Sequence, residues 1–193
     1  MIIPPSIPSI GSMAVFCGSS PGKNPEFAIQ ARSLGVLMAE AHIRLVYGGG
    51  RTGLMGILAD TVLESGGEVT GIIPVFLNTD ERKHERLTEL IEVSTMHERK
   101  SLIYDKSEAV IMLPGGYGTL DEFFEIITWN QLSLHRKIAG ILNVCGFYDH
   151  LSRHLLGVEE EGFLHAPRMS KIYIANTSRA LLGKMLENIH EPD

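Results

Sequence analysis

Seven short apolar runs recur along the chain: residues 13–17, 44–47, 68–73, 91–95, 109–113, 138–144 and 172–175. Most of them close on glycine or proline, and segments of helical character lie between them. These runs are continuous rather than alternating, which is the pattern of strands buried on both faces. Helices are expected over 24–41, 52–65, 96–107, the stretch after 119, 148–161 and from Ser178 onward. The first has Asn24 as N-cap and Pro25 at its first position. Residues 77–89 are dense in charge and read as a loop with partial helix. Strand and helix in alternation predict a Rossmann-like, doubly wound α/β fold with a parallel sheet.

A chain of 193 residues supports one sizeable core and is short for two. The reading is a loose leader over residues 1–12 and a single domain over 13–193. The leader holds prolines and lacks the basic start of a signal peptide. No run approaches the roughly 18 apolar residues of a membrane span. A net charge of −6 gives no basic footprint for nucleic acid or membrane. Two cysteines, Cys17 and Cys145, are too few for a disulfide scaffold, so a reducing cytoplasm is expected and both thiols read as packing residues.

In a doubly wound sheet, ligands bind at the carboxyl ends of the strands. That edge collects Gly18, the triplet Gly48, Gly49 and Gly50, and the stretch Pro114-Gly115-Gly116-Tyr117-Gly118-Thr119-Leu120-Asp121-Glu122. The last runs from an apolar strand into a helix, where free N–H groups and the positive end of the dipole suit phosphate. It also ends in two carboxylates, which phosphate should avoid.

Other motifs are weaker. The glycines at 48–53 match a dinucleotide fingerprint, yet the next strand ends Ile73-Pro74 without the acid that holds a ribose. Close packing, with Gly53 and Gly56 seating a helix on the sheet, is the better reading there. Residues 18–24 lack the glycine and hydroxyl positions of a P-loop. His150 and His154 have the spacing of a zinc pair without the accompanying glutamate, and read as a solvated helix face.

Thr95 and Glu98 have the spacing of a capping box, which places Arg99 and Lys100 early in a helix. The dipole disfavours each cation there by roughly 0.3–1 kcal/mol, so either acids of the loop or an anionic ligand must compensate. Thr119 and Glu122 also have capping-box spacing. Glu122 therefore has two readings: a cap for its own helix, or a functional carboxylate.

The segments Phe16-Cys17-Gly18-Ser19-Ser20, Val46-Tyr47-Gly48-Gly49-Gly50, Gly53-Leu54-Met55-Gly56, Met96-His97-Glu98-Arg99-Lys100, Pro114 to Glu122 and Thr128-Trp129-Asn130-Gln131-Leu132 together resemble the LONELY GUY (LOG) family. These are the cytokinin-activating nucleoside 5′-monophosphate phosphoribohydrolases, and the resemblance runs from Met13 over nearly the whole chain. Members are often labelled lysine decarboxylases, but no lysine here has a recognisable pyridoxal phosphate context. The resemblance implies hydrolysis of the N-glycosidic bond of a purine nucleotide to free base and ribose 5-phosphate. It places the catalytic pair on Arg99 and Glu122. Substrate contacts fall on Glu81, Lys100, Gly116, Tyr117, Gly118, Thr119, Leu120, Asp121 and Thr128, and a homodimer with sites near its interface is implied. Asp121, Ile138 and Cys145 depart from the family pattern, which usually has Glu, Pro and an acid at these positions.

The expected mechanism separates the two functions of the glycine stretch by distance. Phosphate rests on the amides of Gly115, Gly116 and Gly118 and the Thr119 hydroxyl. Glu122, one turn on, faces the ribose as an ionised carboxylate and stabilises oxocarbenium-like charge. No metal or cofactor is called for. Two other readings use the same crevice: a nucleotide or molybdenum-cofactor carrier without hydrolase activity, and a general AMP nucleosidase of nucleotide salvage.

Overall fold

The computed structural model describes residues 10–79, 83–164 and 172–188. Seven strands form one sheet in the order β4-β3-β2-β1-β5-β6-β7, with every pairing parallel. They are β1 (Ser12–Phe16), β2 (Arg44–Tyr47), β3 (Val69–Pro74), β4 (Glu89–Val93), β5 (Ala109–Met112), β6 (Ile138–Leu142) and β7 (Ile172–Ala175). Six α-helices join them: α1 (Pro25–Glu40), α2 (Gly53–Glu64), α3 (Met96–Asp105), α4 (Tyr117–Gln131), α5 (Asp149–Glu160) and α6 (Ser178–Glu187).

Side chains alternate between two cores. Met13, Val15, Leu45, Tyr47 and Ile111 pack with α1, α2 and α6 on one face. Ala14, Phe16, Val46, Val110 and Met112 pack with Ile103 of α3 and Phe123 and Ile126 of α4 on the other. A strand with period-2 geometry and helices on both sides must be apolar at every position, which is why the runs read as continuous. The doubly wound architecture expected from the sequence is the one observed.

Local capping fixes the helix starts. Asn24 accepts from the Glu26 N–H at 3.0 Å ahead of Pro25. Thr177 accepts from the Ala180 N–H and begins α6 at Ser178. The stretch expected as partial helix at 77–89 shows no α-helix among its described residues. Its neighbour Val75–Leu77 forms a single 3-10 turn, and Lys83 and His84 are tied to Gly50 and Gly49 instead. The Lys83 N–H still makes one helix-like bond, to Thr79 O at 2.9 Å, whereas the His84 N–H goes to Gly49 O at 3.0 Å. β1 begins at Ser12, and Ile10 ahead of it is buried in the core.

Between β1 and β5 the winding reverses direction. At this switch point the loops after two neighbouring strands lead away from each other and open a crevice at the carboxyl edge. The residues after β1 and β5 are Cys17-Gly18 and Leu113-Pro114-Gly115.

Candidate active site

The Leu113 N–H donates to Phe16 O at 2.9 Å, and the Gly18 N–H donates to Pro114 O at 3.0 Å, so the two loops run side by side. Gly116 is extended and caps α4, whose first helical bond runs from the Leu120 N–H to Gly116 O at 3.2 Å. The N–H groups of Tyr117, Gly118 and Thr119 thus have no acceptor within the helix. A side chain at Gly116 or Gly118 would meet nothing within 4 Å, so the backbone there stands open. Gly115 does not: a methyl on it would lie 2.1 Å from Thr119 Oγ1. Thr119 is correspondingly buried beneath the loop.

The start of α4 at Tyr117 removes the capping-box reading of Glu122. Thr119 is the third helical residue rather than the N-cap, and no side chain caps this helix. The Glu122 carboxylate instead meets Arg99, with Nη2 to Oε1 at 3.2 Å and only 12% of each side chain exposed. The start of α3 ahead of Arg99 is fixed by a variant of the capping box: the Glu98 N–H donates to Thr95 Oγ1 at 3.1 Å, and Glu98 Oε2 accepts from the N–H of Ser94, one residue before the cap, at 2.7 Å. That arrangement starts α3 just before the two cations, as the sequence pattern implies. Their compensation comes from α4. Lys100 Nζ lies 2.7 Å from Asp121 and 3.2 Å from Glu125.

Burial pushes the Glu122 carboxyl above its ordinary value; Arg99 and Lys100 oppose this, while Asp121 and Glu125 add to it. The carboxylate expected to act ionised thus sits where its surroundings favour the neutral form more than water does. For Lys100, desolvation works to lower the pKa, but its hydrogen bonds to Asp121 and Glu125 outweigh this and the net direction is up. Lys100 stays a firm cation, and it and Arg99 partly offset the burial of the Glu122 carboxyl.

Gly48 supplies the seat for Arg99. A methyl on Gly48 would lie 2.0 Å from Arg99 Nη2, so the guanidinium occupies the space a side chain would fill. Arg99 Nε is buried and has no hydrogen-bond partner among the described residues. Gly53, at φ +60°, lets α2 press its start against the Ser19–Ser20 backbone, where a methyl would sit 2.3 Å from Ser19 C. The loop, rather than the sheet, is what this glycine accommodates.

The remaining expected residues fall as follows. Tyr117 begins α4 and is 92% exposed. Leu120 packs against the core on the α4 side. Thr128 lies six residues beyond Glu122, about 9 Å along the helix, and its hydroxyl donates to Phe124 O at 2.7 Å. It does not join the Arg99–Glu122 pair. Glu81 lies outside the described residues. Behind Glu122 a small pocket is lined by Phe16, Lys100, Tyr104, Glu125, Ile126 and Trp129.

Glu125 and the Gly48 seat were not legible as site features. For Glu125 a signal existed, since it stands four residues after Asp121 on the same helix face. Cys17 is buried, and burial and then the Glu122 charge raise its pKa, so it is an inert thiol. Cys145 is exposed, which corrects its reading as a packing residue; it sits at φ 51° in the turn after β6. His150 and His154 are both solvent-exposed, as a solvated face requires.

A family model described as "possible lysine decarboxylase" matches residues 55–185. A probable cytokinin riboside 5′-monophosphate phosphoribohydrolase of Oryza sativa subsp. japonica is 44% identical over 93% of this chain and 73% of that protein. A protein of Arabidopsis thaliana named as the same enzyme is 42% identical over 94% of this chain and 82% of its own. One from Rhodococcoides fascians is 42% identical over 86% and 85%. Among solved structures, the molybdenum cofactor binding protein of Rippkaea orientalis superposes with a TM-score of 0.71 at 21% identity, covering 96% of this chain and all of that one. At that identity the likeness speaks for the fold alone. With the Arg99–Glu122 pair at the switch point and identities above 40% over nearly the whole length, this chain belongs to the LOG family of cytokinin riboside 5′-monophosphate phosphoribohydrolases.

Proposed function

We propose that this protein hydrolyses the N-glycosidic bond of adenine or N6-modified adenine nucleoside 5′-monophosphates, releasing free base and ribose 5-phosphate. The observation that carries the reading is the buried Arg99–Glu122 pair beside the open amides at the start of α4. The names of the curated relatives support the same reaction.

The 5′-phosphate rests on the N–H groups of Gly116, Tyr117, Gly118 and Thr119, at the positive end of α4. Glu122 lies four residues past Gly118, about 6 Å along the helix. That offset keeps the carboxylate off the phosphate and brings it to the sugar. As the C1′–N bond breaks, its electron pair leaves with the base, which takes up a proton, and a water oxygen bonds to C1′. Glu122 stabilises the positive charge that develops on the ribose. Arg99 has a positioning role towards Glu122, to which it is paired at 3.2 Å, and its charge opposes the rise in pKa that burial causes. Lys100, anchored between Asp121 and Glu125, adds positive potential at the mouth of the crevice.

The protein works as a homodimer with its sites near the subunit interface; the exposed Tyr117 at the edge of the glycine loop supports this. It acts in the cytoplasm, in keeping with two free cysteines and with no helix among the described residues long and apolar enough to cross a membrane.

The test offers N6-isopentenyl-AMP, AMP, GMP, IMP, CMP and adenosine, and scores free base and ribose 5-phosphate. The expected result is release from the adenine nucleotides, with adenosine much poorer. Tight nucleotide binding with no base released after prolonged incubation would point to a carrier and overturn the proposal.

A further inference from the structure

An anion loop has to present its N–H groups and turn its carbonyls away, since a carbonyl oxygen facing a phosphate is repulsive. At the β5–α4 loop the carbonyls of Leu113 and Pro114 are the ones at issue. Pro114 O is taken by the Gly18 N–H at 3.0 Å. Leu113 O is taken by the Tyr148 hydroxyl at 2.8 Å, from a residue 35 positions later in the chain.

Tyr148 is 3% exposed and packs in the core on the α4 side. Burial raises its phenol pKa. Its hydroxyl holds Leu113 O just as the Gly18 N–H holds Pro114 O, so both carbonyls are engaged within the protein.

The turn that carries Tyr148 is itself fixed. Asn143 Oδ1 accepts from the Tyr148 N–H at 2.7 Å, and its Nδ2 donates to Asp149 Oδ1 at 2.7 Å. The Asn143 N–H is in turn bound to Ala175 O at 2.8 Å. Gly146, at φ +72°, brings the turn so close that a methyl would meet Asp149 Oδ2 at 2.6 Å. The β6–α5 turn is a brace that carries the phenol to the β5–α4 loop.

We propose that Tyr148 is a positioning residue for recognition of the substrate's 5′-phosphate, acting through Leu113 O to fix the anion-binding loop. This rests on reading that loop as the phosphate site. Tyr148→Phe removes the hydroxyl and keeps the ring. Its loss is expected to raise KM for AMP and weaken inhibition by ribose 5-phosphate by about tenfold, the effect of one lost buried hydrogen bond. Because adenosine lacks the phosphate, the ratio of kcat/KM for AMP over adenosine should fall by the same factor.

Gly146→Ala, which shifts the turn without touching the loop, should give the same loss of ratio, and it carries the test if Tyr148→Phe does not fold. An unchanged ratio in a folded variant overturns the proposal. So does an equal fall for AMP and adenosine, which is a general packing defect. If the wild-type protein itself shows no preference for AMP over adenosine, the phosphate reading of the loop fails first, and the role of Tyr148 fails with it.

Discussion

Gly48 shows how little room the site leaves for a single carbon. With a methyl placed 2.0 Å from Arg99 Nη2, Gly48→Ala must push the guanidinium off Glu122. Losing one preorganised electrostatic group lowers turnover on the order of 10²-fold. Steady-state kinetics of Gly48→Ala should show that fall in kcat with the circular dichroism spectrum unchanged; wild-type kcat would mean that Arg99 does not work from this seat. Glu122 gives a second expectation. Its carboxyl is raised above the ordinary value, and the chemistry uses the ionised form. Activity should therefore fall on acidification through a limb set above the usual carboxylate range. Glu125 is one of the charges that raises it, so Glu125→Gln should move that limb to lower pH. A pH profile of kcat/KM measures this, and a limb that stays or moves up contradicts the assignment. In the sequence, Arg99 and Glu122 could be named but not joined, because residues 23 positions apart on two helices meet only once the sheet is built.

Elements whose first residue is marked by a side-chain cap were legible, and those capped by glycine were not. Asn24, Thr95 and Thr177 each accept a backbone N–H, and α1, α3 and α6 begin where the pattern says. Helix α4 is capped by Gly116, which has no side chain to announce it, and Thr119 two residues inside imitates a cap. That decoy is the reason Glu122 had two readings. The β6–α5 turn holds a different irregularity. Cys145 occupies left-handed space at φ 51°, where the resemblance implies an acid. Asn and Asp tolerate that region through local hydrogen bonds, whereas other L-residues are disfavoured there by roughly 1–2 kcal/mol. Cys145→Asn is expected to stabilise the protein by about 1 kcal/mol, a rise in melting temperature of about 3 °C at this chain length. Thermal denaturation checks it, and a lowered melting temperature would show that the turn has no such strain to relieve.

At the scale of the whole molecule, the two-sided apolar strands made the doubly wound class legible, and the glycine loops marked its working edge. Strand order was not legible. Seven parallel strands permit several orders, and the observed one, with β1 beside β5, sets their loops together. The contact of Tyr148 with Leu113 was hidden for the same reason, since it depends on β6 lying beside β5. The fold thus brings the open start of α4 with its carboxylate Glu122, and the buried Arg99, to one crevice from two stretches of chain that the sequence keeps apart. The central claim is that Glu122 serves the sugar and not its own helix. Glu122→Gln preserves size and loses the charge. Single-turnover release of base from AMP should slow by at least about 10²-fold while ribose 5-phosphate still binds. Release at the wild-type rate would contradict the account.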